Sequence, residues 1–148
     1  MATDSKTADT LNELTLFVND RIEGYKHAAT ESTDPQHKAY YQELANQSQQ
    51  FANELNGFAR SAGSDGQTGT TTKGKLYRGW MGAKALVTGR DEVAVLESNI
   101  YGEEWALKAY QEALADSDLT GPARQAVERQ YQISQQTYSK LKAMKSGA

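Results

Sequence analysis

DEVAVLESNIYGEEWALKAYQEAL, residues 91–114, decides the fold. Val93, Leu96, Ile100, Glu103, Leu107, Tyr110 and Leu114 recur in it at alternating steps of three and four, the spacing that gathers side chains into one seam of a helix. The spacing predicts a helix over about residues 91–115, with a carboxylate, Glu103, at one seam position. A seam of this kind needs partner helices, and the flanking sequence supplies them.

Downstream, Gly121-Pro122 places a proline where a helix begins. A helix over 122–145 follows, with Ala123, Val127, Gln130, Ser134, Thr137 or Tyr138, and Leu141 on one face. Lys140, Lys142 and Lys145 complement its C-terminal dipole. Upstream, Leu11, Leu14, Val18, Ile22, Tyr25 and Ala29 mark a helix over 7–30, interrupted by Gly24. Asp34-Pro35 is an N-cap followed by a first-turn proline. It opens a helix over 35–62 whose stripe is Tyr41, Leu44, Ser48, Phe51, Leu55 and Phe58, with Gly63 as a stop signal.

The links decide the topology. Those between helices 1 and 2 and between 3 and 4 are short, so each pair forms an antiparallel hairpin. The stretch from 63 to 90 is long enough to travel the length of the bundle. It begins as a Gly/Ser/Thr-rich loop, GSDGQTGTTT, and continues into a segment where Leu76, Trp80, Ala83 and Val87 share one side of a short helix. The expectation is an all-α chain: a ferritin-like antiparallel four-helix bundle, a single domain over 1–148, with a crossover containing a short helix between helices 2 and 3. An extended coiled-coil dimer is the competing arrangement.

Composition bounds the function. A chain of 148 residues buries about two-thirds of its unfolded surface without a staple. The mean hydropathy of -0.74 describes a very polar surface, while eight Tyr, three Phe and two Trp supply a core. The absence of cysteine removes disulfides, thiolate metal sites and thiol nucleophiles. Neither a secretory n-region nor an apolar run of about 18 residues occurs, so no transmembrane segment is expected and the cytoplasm is the expected location. A net charge of -3 argues against general nucleic-acid binding.

Two constellations carry potential chemistry. The first is polar mid-height: Gln47 and Ser48 on helix 2, Glu103 with Glu104 beside it, and Gln130, Ser134 and Tyr138 on helix 4, with apolar layers on either side. Ferritin-like di-metal sites use carboxylates with Glu-x-x-His, and this sequence has no Glu-x-x-His. His27 and His37, near the first hairpin, read as exposed surface histidines. Glu103 reads either as a metal or proton-handling carboxylate or as a seam carboxylate hydrogen-bonded to Gln, Tyr or water or paired with Arg21. The second reading is the better, because a buried charge needs a partner and partners are available. Glu104 is the other candidate for the inward position.

The second constellation is a basic tract, Lys73, Lys75, Arg78, Lys84 and Arg90, with Tyr77, Trp80 and Met81 interleaved and no acidic residue between Asp65 and Asp91. It reads as a crossover with solvated charges, or as a surface for anionic lipid, nucleic acid or an acidic neighbour subunit.

DRIEGY at 20–25, the run from Lys75 to Asp91, and GE followed by KAYQEAL between Gly102 and Leu114 resemble a bacterial family of ferritin-like four-helix-bundle proteins of unknown function, the DUF2383-type domain. The resemblance covers about residues 9–145. It implies an antiparallel bundle with a crossover helix and points to Glu23 and Glu103 as recurring acidic positions. It implies an acidic residue where this chain has Gln47, and a His near Tyr138. It supplies no established activity.

The resulting expectation is a cytoplasmic, non-catalytic bundle, stress-associated or assembly-forming, that self-associates, acts through its surfaces and has no cofactor. The alternative is an iron or manganese protein using Glu23, Glu103 and Glu104 with Gln47 or Gln130. A third reading makes Lys73, Lys75, Arg78, Trp80, Lys84 and Arg90 a binder of anionic lipid or DNA.

Overall fold

Four helices appear in the computed structural model, which describes residues 2–66 and 92–147, with side chains from Lys6 onward. They are α1 (Ala2–Glu31), α2 (Pro35–Ser61), α3 (Glu92–Leu114) and α4 (Gly121–Gly147). The α1–α2 turn is set by Asp34, whose Oδ1 accepts from the backbone N–H groups of Gln36 and His37 at 2.9 and 3.2 Å, while Pro35 takes the first helical position. At the other end of α2, Gly63 adopts a φ of 98° and the Ser64 amide turns back onto the Ala59 carbonyl at 2.9 Å. The orphan carbonyls closing α3 are met by Arg124, which donates to Leu114 O at 2.9 Å and Leu119 O at 3.0 Å.

Side-chain bonds fix the directions. Asn12 meets Ser64 and Arg21 meets Ser48, so α1 and α2 are antiparallel. Thr10 meets Asp116 and Ser32 meets Glu92, so α1 and α3 are antiparallel. Tyr110 meets Gln130 and Glu97 meets Lys145, while Glu54 meets Gln130 and Tyr40 meets Lys140, so α4 runs against both α3 and α2. The diagonal helices α2 and α3 therefore run parallel. The chain leaves α2 at one end of the bundle and enters α3 at the opposite end, the one-crossover arrangement expected from the links. The short helix expected within 73–90 lies outside the described residues.

Three of the four seams fall where the spacing put them. Leu11, Leu14, Val18, Ile22, Tyr25 and Ala29 are buried on α1. Tyr41, Leu44, Ser48, Phe51 and Leu55 are buried on α2, where the last expected member, Phe58, is only half-buried near the helix end, and Ala123, Val127, Gln130, Ser134, Thr137 and Leu141 are buried on α4. Thr137, not Tyr138, takes the core position. The α3 seam keeps Leu96, Glu103 and Tyr110 but is otherwise rotated: Val95, Asn99, Ala106 and Ala113 are buried where Val93, Ile100, Leu107 and Leu114 were expected, and those four are half-buried at the edge. Gly102, Ala106, Ala109 and Ala113 are the reason. Small side chains let two helices approach, so α3 turns its small face inward and lays its bulky residues over the rim.

The apolar core is divided. One cluster, including Leu11, Leu14, Val18, Phe51, Leu55, Tyr110, Leu119 and Val127, fills one half of the bundle. A second, with Tyr25, Tyr41, Leu44, Val95, Leu96 and Leu141, fills the other.

Candidate functional site

Between the two clusters lies a polar layer centred on Arg21. Its alternating three-and-four steps from Leu14 and Val18 carry it to the seam at the same height as Glu103. Arg21 Nε donates to Glu103 Oε1 at 2.6 Å, Nη1 to Ser48 Oγ at 2.7 Å and Nη2 to Gln47 Oε1 at 3.3 Å. Its guanidinium carbon stands 5.2 Å from the ring centroid of Tyr25 and 5.5 Å from that of Phe51, so apolar faces flank the cation.

Glu103 is satisfied by three side chains from two other helices. Besides Arg21 on α1, the Tyr25 hydroxyl donates to Oε1 at 2.5 Å and the Ser134 hydroxyl of α4 donates to Oε2. Arg21, Ser48, Glu103 and Ser134 have no exposed surface. The Ser48 hydroxyl in turn donates to the Leu44 carbonyl at 2.7 Å. Burial alone would lower the Arg21 pKa, but the Glu103 carboxylate overcomes it and the guanidinium is held more firmly charged than in water. Burial first, and the Glu103 charge second, push the Tyr25 phenol well above its ordinary value.

Gln130 belongs to an adjoining chain of bonds. It accepts from Tyr110 Oη at 2.9 Å and donates to Phe51 O at 3.3 Å and Glu54 Oε1 at 2.8 Å, and Arg129 closes the chain on Glu54 at the surface. Burial raises the Tyr110 pKa as well.

The structure thus brings Gln47, Ser48, Glu103 and Ser134 together around Arg21 and sets Gln130 beside Tyr110. It does not gather the remaining sequence candidates. Glu23 is exposed, on a face of α1 away from the seam. Glu104 is exposed and accepts from Tyr138 Oη at 2.9 Å, which takes Tyr138 out of the polar core and onto the half-buried rim. The two histidines are less exposed than expected. His27 pairs with Glu31 at 3.2 Å and His37 with Glu92 at 3.1 Å, because each sits within reach of a helix-end carboxylate. Lys73, Lys75, Arg78, Trp80, Lys84 and Arg90 lie outside the described residues.

Among the described residues, no three His, Asp or Glu side chains stand close enough together to hold a metal ion. No described helix is long and apolar enough to cross a membrane. Asp20 is a buried acidic group that the periodicity missed. It is fully enclosed next to Arg21 in sequence, but its place on the wheel is off the apolar stripe.

The model of a family described as a domain of unknown function, DUF2383, matches residues 6–116, which take in most of α1 and all of α2 and α3. No curated protein matches the chain.

Proposed function

The chain belongs to the DUF2383 family of unknown function, and from that premise we propose that it is a non-catalytic, ferritin-like bundle that forms assemblies and works through its surfaces. A stress-associated role is the extension suggested by fold analogy. The observation that supports the reading is the Arg21–Glu103 pair. Arginine keeps its charge in proteins, so a fixed cation already occupies the carboxylate at mid-height. Gln47, Ser48 and Ser134 complete the pair with neutral groups, which are weak ligands for a hard divalent cation. A metal at this level would have to displace a guanidinium held by three side chains.

The test is metal analysis of protein purified without chelator, followed by anaerobic titration with iron(II) and with manganese(II). The expected result is no stoichiometric binding and no dioxygen consumption on re-aeration. Stoichiometric uptake that is lost in Glu103→Ala would overturn the reading in favour of an iron or manganese protein. The lipid or DNA reading is tested separately by changing Lys75, Arg78 and Lys84 to Glu; salt-sensitive binding to anionic vesicles or duplex DNA that vanishes in this variant would establish it.

A further inference from the structure

We propose that the outward stripe of α3 is a self-complementary surface on which a second copy of this chain packs antiparallel, across a twofold axis at the level of Glu103. The inference rests on the reading of the protein as assembly-forming and names the surface.

Among the described residues, the exposed large hydrophobics are Tyr101 and Trp105, at 36% and 39% exposure. They stand one turn apart on the same helix face, their rings in edge-to-face contact with centroids 6.4 Å apart. Lys108 lies a further turn along, with its Nζ 4.9 Å from the Trp105 centroid. Glu97 lies a turn before Tyr101, with 55% of its side chain exposed and Lys145 at 3.7 Å. The stripe therefore reads acid, aromatic, aromatic, base from Glu97 to Lys108.

That order decides the occupant and its direction. Placed antiparallel about the level of Glu103, Tyr101 of each copy meets Trp105 of the other, and Lys108 falls within one residue of Glu97. Glu112 then lies beyond the stripe, at the level of the buried Ala94. The parallel register would stack Glu97 on Glu97 and Lys108 on Lys108, and like charges in register oppose association. Mixed charges also disfavour a purely anionic or cationic partner. An aromatic pair flanked by opposite charges fits the anatomy of a protein interface, and the exposed Glu104 beside it is held by the Tyr138 hydroxyl.

Sedimentation velocity on the full chain tests this. Wild type should show a concentration-dependent dimer. Trp105→Glu, and separately Lys108→Glu, should weaken it about tenfold or more while leaving the circular dichroism unchanged, since both positions are exposed. The double variant E97K/K108E restores opposite charges across the twofold and should regain the dimer. A dimer that persists unaltered in Trp105→Glu would overturn this surface and leave the assembly reading standing. A double variant no better than Lys108→Glu would overturn the antiparallel register. A wild type that stays monomeric across the micromolar range would overturn both the surface and the assembly reading.

Discussion

Arg21 and Glu103 form an ion pair at 2.6 Å with neither side chain exposed to solvent, joining α1 to α3 at a height where all four helices contribute polar groups. Taking two charges out of water is costly, and their attraction repays it only when every remaining donor and acceptor is met. Here Ser48 and Gln47 each accept one further guanidinium N–H, and Tyr25 and Ser134 donate to the carboxylate, which offsets much of that cost. The pair consequently fixes register: sliding either helix by one turn would leave a guanidinium against the apolar cluster around Leu14 or the one around Tyr41.

Removing one partner should cost more than removing both. Glu103→Ala leaves a buried guanidinium unpaired and is expected to destabilise the bundle by about 3–5 kcal/mol. Arg21→Met in the same chain should recover part of that loss, with a coupling energy of about 1–3 kcal/mol. Urea denaturation of wild type, both singles and the double measures it. Strict additivity would show that the pair does not act as a unit.

Gln130 and Tyr110 should behave in the same way on a smaller scale. Gln130→Leu strands the Tyr110 hydroxyl, a fully buried group, at a cost of about 1–3 kcal/mol. Adding Tyr110→Phe removes the stranded donor and should return stability toward wild type. Thermal melts of the two variants decide it; a double variant less stable than Gln130→Leu would mean that the hydroxyl has another acceptor.

How far the sequence could be read follows from which forces leave a pattern. Leu11 to Ala29 and Tyr41 to Leu55 announce themselves because burial of apolar side chains repeats with the helix. Asp34-Pro35 marks its turn because the cap chemistry is local. Glu103 was legible as a seam carboxylate for the same reason, and Arg21 as one of its candidate partners. The rotation of α3 was not legible. Ala106 and Ala113 are buried because helix packing favours a small inward face, a property of the helices together, whereas hydropathy favours Leu107 and Leu114. Tyr138 was assigned to the core on the same ground, and a phenol can satisfy its hydroxyl equally well at the rim, where Glu104 receives it.

Alkaline pH should unfold the protein and ionise its inner phenols in one step. Burial raises the pKa of Tyr25, Tyr110 and Tyr41, with the Glu103 charge adding to the first two and Glu92 to the third. A phenol whose folded pKa is raised stabilises the fold fully below its unfolded value of about 10, and that contribution falls away as pH rises beyond it. Absorbance at 295 nm and ellipticity at 222 nm should therefore change together for part of the eight tyrosines. Complete tyrosinate formation with the helical signal intact would contradict the enclosure of these rings.

Glu92 should clasp the α1–α2 turn to the start of α3 at neutral pH and release it in acid. Its carboxylate accepts from Ser32 Oγ at 2.7 Å, the Thr33 amide at 3.0 Å and His37 Nδ1 at 3.1 Å. Burial works to raise its pKa, but the bonds from Ser32, Thr33 and His37 prevail and the net shift is downward. A depressed carboxyl pKa gives stability that is present above the unfolded value of about 4.3 and is lost as pH falls through the folded one. The carboxylate is half-buried but still reaches solvent at the bundle end, so the effect should stay at about 1 kcal/mol. Glu92→Ala should accordingly lower stability at pH 7 and speed amide exchange at residues 32–37, while at about pH 3 and below the two proteins should converge. A stability difference that persists undiminished in acid would show that Glu92 acts there by packing and not by charge.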